Sequence, residues 1–220
     1  MDHFKPELFS FLADLKQNNT REWFTKNKEQ YRAEVQAPLL EFISAYSGPL
    51  GKISRHFVAD PRPAGGSMFR IYRDVRFSRD KSPYKTHAAA QFRHREGKDV
   101  HAPGFYLHLG PDEVFMGAGL WRPAGPTLGA VRNAIAETPD AWREVTDGLT
   151  FGGESLKRGP RGFDPGHPMI NDLKRKDFVT SSSSTQKAAC RPGFLDEVAR
   201  AHRAAAPLVR FLTEAIGLEF

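Results

Sequence analysis

The stretch Phe105-Tyr106-Leu107-His108-Leu109-Gly110-Pro111-Asp112-Glu113-Val114-Phe115-Met116-Gly117-Ala118-Gly119-Leu120 decides the fold class. Phe105, Leu107 and Leu109 alternate with Tyr106 and His108, the period of two that a strand with one buried face requires. Gly110 to Glu113 has the composition of a tight turn. On the return, Val114, Met116, Ala118 and Leu120 take one side, and Phe115, Gly117, Gly119 and Trp121 the other. Upstream, Thr86 to Arg95 sets Ala88, Ala90 and Phe92 against His87, Gln91 and Arg93. Ser67 to Phe77 sets Phe69, Ile71, Val75 and Phe77 against Arg70, Tyr72, Asp74 and Arg76. Four such runs in succession predict an antiparallel sheet of at least four strands, buried on one face.

The flanks change to a helical period. Leu8, Phe9, Phe11, Leu12 and Leu15 predict a helix over 6–17 with Pro6 in its first turn. Asn19 and Glu22 have capping-box spacing for a second helix through Trp23, Phe24 and Tyr31, which Pro38 should kink or restart and which should end near Ser47-Gly48-Pro49. Helical patterns return over 126–137, 139–149 and 194–216. The expected fold is therefore α+β, with helices packed on one face of the sheet and N- and C-terminal helices flanking it. No linker interrupts the 220 residues, so one domain, 1–220, is expected.

The composition is globular, with 40% hydrophobic and 26% charged residues. No secretory leader and no membrane-length apolar run is visible, and the single cysteine, Cys190, permits no internal disulfide, so a cytoplasmic protein with no membrane partner is expected. Cys190 reads as an incidental small residue near a helix start. The net charge of +6 is localised. From Arg62 to His108 ten Lys/Arg face four acids, and from Glu154 to Phe178 six face four, leaving the remainder of the chain slightly negative. A field confined to two stretches points to an anionic partner.

Several motifs carry a resemblance. Asn18 to Phe24, Arg70-Ile71-Tyr72-Arg73-Asp74-Val75-Arg76-Phe77-Ser78-Arg79-Asp80-Lys81-Ser82-Pro83-Tyr84-Lys85, His101 to Tyr106, Gly117 to Pro123 and Asp172-Leu173-Lys174-Arg175-Lys176-Asp177-Phe178 resemble the bacterial and fungal family called domain of unknown function 2461. The resemblance runs from about Phe9 to Gly217. It implies no activity, cofactor or catalytic residue, and the Ser181 to Ser184 run is plainer than the family's usual sequence there.

The chemistry must then be read from the residues. If the four strands pair in order, Arg70, Tyr72, Asp74, Arg76, His87, Gln91, Arg93, Tyr106 and His108 share the polar face beside Gly117 and Gly119, with Trp121 and Arg122 at its rim. Arginines bind phosphate or carboxylate bidentately, and glycines leave an open floor. Arg73, Lys81, Tyr84 and Lys85 belong to a charged loop able to clamp an anion, and Lys157, Arg158 and Arg161 to a second Gly/Pro-bounded loop that lacks Walker spacing. The competing reading makes Arg70, Asp74 and Arg76 simple ion pairs.

Histidines at 87, 94, 101 and 108 are spaced by seven, which matches no ligand signature, so no metal is expected. His87, His108 and Asp74 are instead the candidates for acid–base work. No dinucleotide, nucleophile-elbow or zinc motif occurs, so no cofactor is expected either. The favoured reading is a face that binds a small phosphorylated or carboxylated molecule, with His87, His108 and Asp74 as the groups that would act on it. The alternatives are a platform for single-stranded nucleic acid, with Tyr72, Tyr106, Phe115 or Trp121 stacking bases, and a scaffold for an acidic protein. Oligomeric state has no signature in the sequence.

Overall fold

The computed structural model describes residues 2–97 and 101–220, so Lys98 and Asp99, both counted in the basic stretch, lie outside the described residues. Helix α1 (Pro6–Gln17) buries Leu8, Phe9, Phe11, Leu12 and Leu15, the five positions its period marked. Helix α2 (Arg21–Lys26) is capped by Thr20, whose hydroxyl accepts the Trp23 N–H at 3.2 Å. Asn19 does something else. Its side-chain amide donates to the Tyr84 carbonyl and accepts the Tyr84 N–H, both at 3.0 Å, tying the first helices to the chain that enters the sheet.

Helix α3 (Lys28–Tyr31) passes through a π-helical turn, Arg32–Gln36, into α4 (Ala37–Gly51). Pro38 has no N–H to return to the preceding turn, and the wider π turn, closed by the Ala37 N–H on the Arg32 carbonyl, absorbs the mismatch without a break. The helix also runs past Pro49 to Gly51.

The remaining elements follow in chain order: β1 (Phe57–Val58), β2 (Ala88–His94), β3 (Gly104–Leu109), β4 (Val114–Leu120), α5 (Gly125–Glu137), α6 (Pro139–Thr146), β5 (Phe151–Gly152), α7 (Ile170–Leu173), β6 (Phe178–Ser184), α8 (Gln186–Ala189) and α9 (Phe194–Ala215). Among the described residues the six strands form one antiparallel sheet ordered β1-β2-β3-β4-β6-β5, and the fold is α+β. Tyr106 stands opposite Gln91 on one side and Gly117 on the other, which sets the floor of the site.

One face of the sheet is packed. Phe92, Phe105, Leu107, Met116 and Ala118 join side chains of α1, α4 and the first half of α9, while Leu120 and Phe178 join Val131, Ile135, Trp142 and Leu212 near the other edge. Two segments depart from what side-chain alternation predicts. The serine run pairs with β4 as part of β6, Ser181 opposite Gly117, although its side chains are mostly exposed. Conversely, 67–77 makes no strand of its own. Phe69 N–H bonds the Ala89 carbonyl and Gln91 N–H the Ser67 carbonyl at the edge of β2, but the chain then peels away to pair 71–73 with 83–85. β1 already occupies the rest of that edge at Arg93 and His94. The apolar alternation of 67–77 therefore dissolves: Ile71 is buried, whereas Phe77 is 96% exposed. No helix among the described residues is long and apolar enough to cross a membrane.

Candidate functional site

The second face of the sheet carries two adjoining cavities. The inner one, about 510 Å³, lies over β3, β4 and β6 and is walled by Phe69, Tyr106, Phe115 and Trp121. His87, Gln91, Thr180 and Ser181 add polar groups to its lining. The outer one, about 720 Å³, is an open groove along the 65–76 segment, lined by Arg70, Arg73, Arg76 and Arg93 together with Tyr72 and Asp74. Phe69, Lys85 and Gln91 line both.

The two glycines expected to form the floor differ in kind. A Cβ at Gly117 would meet nothing nearer than Tyr106 at 3.5 Å, so the backbone does not require glycine there and the missing side chain leaves open volume. At Gly119, with φ +125°, a Cβ would lie 1.9 Å from the Phe178 carbonyl oxygen, so glycine is required by the β4–β6 pairing itself.

His87 and His108 face each other with ring centroids 4.4 Å apart, and His108 stacks on Phe115 at 4.6 Å. The Tyr106 hydroxyl is 3.1 Å from His108 Nδ1, and His108 Nε2 is 3.7 Å from a Glu113 carboxylate oxygen. That arrangement suits the tautomer with hydrogen on Nε2, facing the carboxylate, and the tyrosine donating to Nδ1. Burial pushes both imidazoles down to about 4, with the neighbouring His108 and Lys85 adding to the effect on His87. At neutral pH they are uncharged hydrogen-bonding groups. Burial also raises the Tyr106 phenol.

The positive charge at the junction comes from Lys85. Its ammonium bonds the Arg70 carbonyl at 2.7 Å and lies 5.3 Å from the centre of the Phe69 ring. Desolvation first and the Arg70 charge second lower its basicity. Among the described residues neither Lys85 nor Arg70 makes an ion pair with a carboxylate.

Other candidates have local partners. Arg76 grips Asp74 at 2.9 and 2.7 Å, holding that carboxyl down at about 2. Asp74 is thus an exposed loop residue lining the outer groove, away from His87 and His108. Arg73 pairs with Asp80, and the Lys81 ammonium bonds the Val75 carbonyl at 2.9 Å. The loop expected to clamp an anion spends much of its charge holding its own shape. Tyr84 is buried against Phe24 at 4.1 Å and serves the core. Lys157, Arg158 and Arg161 line neither cavity. Hence the arginines and the histidines do not converge on a single concavity: His87 lines the inner cavity, His108 is buried and lines neither, and the arginines line the outer groove, which meets the inner cavity at Phe69, Lys85 and Gln91.

Of the other histidines, His94 points to the packed face and stacks on His56, and His101 stacks on Trp121 at 5.7 Å. Among the described residues no three His, Cys, Asp or Glu side chains are grouped to hold a metal. Sequence reasoning missed one member of the rim. Asp177, 4% exposed, accepts the Arg122 N–H at 2.7 Å and the Glu154 N–H at 3.0 Å. Arg122 has φ +46°, a left-handed conformation unusual for a residue with a side chain, and its guanidinium lies 4.9 Å from the Trp121 ring centre. The buried carboxylate thus holds the turn that presents Trp121 to the inner cavity. Nothing in the Lys174-Arg175-Lys176-Asp177 run marks its last member as buried.

No curated protein matches the chain. The family model described as "Conserved hypothetical protein (DUF2461)" matches residues 7–211, and the chain belongs to that family.

Proposed function

We propose that the junction of the two cavities binds the charged group of a small phosphorylated or carboxylated molecule, whose body occupies the inner cavity over Gly117. The observation that carries this reading is the setting of Lys85: a half-buried ammonium held on the Arg70 main-chain carbonyl and over the Phe69 ring, near enough to Arg70 for that charge to lower its basicity, with neither cation paired to a carboxylate among the described residues. Desolvation and a nearby like charge disfavour the Lys85 ammonium, and a bound anion relieves it. Arg93 lies in the same groove. The neutral His87 and the Tyr106 hydroxyl supply donors and acceptors deeper in, as an apolar pocket with few convergent polar groups does for orientation.

The test is a thermal-shift screen of phosphorylated and carboxylated metabolites at low salt, run on the wild type, Lys85→Ala and Arg70→Ala. Stabilising ligands whose effect both substitutions abolish are expected. An empty screen, or hits indifferent to both substitutions, would remove the proposal. Tight binding of single-stranded oligonucleotides that weakens steeply with salt would replace it with the nucleic-acid reading.

A further inference from the structure

The two cavities differ in chemistry yet share a border, and that difference specifies more than a charge. The inner one is an aromatic slot over a strand position where a side chain has been given up without backbone necessity. A Cβ at Gly117 has only ordinary contacts, so the backbone accepts a side chain there, and a bulkier one would project into the floor of the slot. The ring of Phe115 flanks the same floor, its nearest atom 3.8 Å from that Cβ position, and Tyr106 borders it from the next strand. Such a space admits a flat ring, stacked or edge-on against aromatic walls. Its polar lining, Gln91, Thr180, Ser181 and His87, suits a ring with hydrogen-bonding edges more than a hydrocarbon. The outer groove begins where this slot ends and presents several cations, Arg70, Arg93 and Lys85 among them, which favours a doubly charged group over a single carboxylate.

We infer that the ligand is a nucleoside monophosphate, with its base in the slot over Gly117 and its phosphate at Lys85 and Arg70. This inference rests on the anion site proposed above and adds the ring and the phosphate to it. Gly117 is then a specificity position: it admits the ring and makes no contact with the phosphate.

The experiment is calorimetric titration of the full chain with AMP, GMP, CMP and UMP, with ribose 5-phosphate and with the corresponding nucleosides, on the wild type, Gly117→Val and Arg70→Ala. At least one mononucleotide is expected to bind roughly tenfold or more tightly than ribose 5-phosphate, the size of effect one stacked base supplies. Gly117→Val should bring that nucleotide down to the affinity of ribose 5-phosphate while leaving the affinity of ribose 5-phosphate and the thermal midpoint nearly unchanged. Arg70→Ala should weaken nucleotide and ribose 5-phosphate alike. If ribose 5-phosphate binds as well as every nucleotide, or Gly117→Val leaves nucleotide binding intact, the ring assignment falls and the anion site stands. If neither the nucleotides nor ribose 5-phosphate binds, the ring assignment falls, and the metabolite screen decides the anion site separately. A single-stranded oligonucleotide that binds much more tightly than any mononucleotide would also overturn it.

Discussion

Replacing Asp177 by alanine should loosen the wall of the site and the fold together. The carboxylate is 4% exposed and accepts two main-chain N–H groups, from Arg122 at 2.7 Å and Glu154 at 3.0 Å. Hydrogen bonds to charged acceptors contribute about 1.5–3 kcal/mol each, and removing the acceptor strands both donors, so the loss should be about 3 kcal/mol or somewhat more. For a chain of this size that corresponds to roughly 6–12 °C in thermal midpoint. Asp177→Asn keeps one accepting oxygen but turns an amide N–H₂ toward the second donor, and should recover only part of the loss. Because Arg122 sits at φ +46°, Arg122→Gly in the wild-type background should be neutral or stabilising by up to about 1 kcal/mol, the strain that a left-handed residue with a side chain carries. The assay is thermal and urea unfolding, with Trp121 emission isolated by subtracting a Trp121→Phe control. An Asp177→Ala protein that melts with the wild type and shows unchanged Trp121 emission would refute the assignment of Asp177 as the brace of this turn.

Acid should destabilise the protein through its buried histidines. His202, 1% exposed, lies between the Tyr46 hydroxyl at 2.7 Å and the Tyr106 carbonyl at 3.1 Å, and burial lowers it to about 4, as it does His87 and His108. A base whose folded value lies below its unfolded 6.5 is protonated preferentially on unfolding. Its stabilisation is therefore complete above pH 6.5 and is lost progressively as pH falls toward 4. For His202 alone the loss is about 2 kcal/mol at pH 5; His202→Phe should flatten the profile measurably in that window, and an unchanged slope would count against the assignment. The two floor glycines should separate cleanly: Gly119→Ala, whose Cβ would lie 1.9 Å from the Phe178 carbonyl oxygen, should cost about 3 kcal/mol or prevent folding, whereas Gly117→Ala should stay within about 1 kcal/mol of the wild type in urea unfolding. Equal effects at both positions would contradict the distinction between them.

Side-chain parity in the sequence carried much of the sheet. The run from Phe105 to Leu120 gave β3, its turn and β4, because consecutive antiparallel strands are a local feature that alternation records. Parity also placed Gln91, Tyr106, Phe115 and Gly117 on one face, whereas His87, expected within the strand, reaches the inner cavity from the bend just before β2. It could not place Arg70, Asp74 or Arg76, because their segment leaves the edge of β2 for a partner, 83–85, that only the tertiary path defines. The serine-rich β6 had no apolar alternation to betray it; its pairing with β4 supplies the strand that its composition does not. Thr20 rather than Asn19 caps α2, since the Asn19 amide is used 65 residues away on the Tyr84 backbone. The roles of Gly119 and Asp177 likewise depend on Phe178, Arg122 and Glu154 approaching from distant parts of the chain, contacts that no local spacing encodes.

The claim that Lys85 stands in an anion site is tested most directly by following its own titration with NMR of ¹³C-labelled lysine side chains, assigned with Lys85→Arg. In the free protein the Lys85 signal should titrate below those of the other lysines, as its desolvation and the nearby Arg70 require. On adding a ligand recovered from the metabolite screen, or inorganic phosphate at high concentration, it should move back up, since an anion beside an ammonium favours the protonated form. A Lys85 that titrates with the exposed lysines and does not respond to either anion would contradict the account.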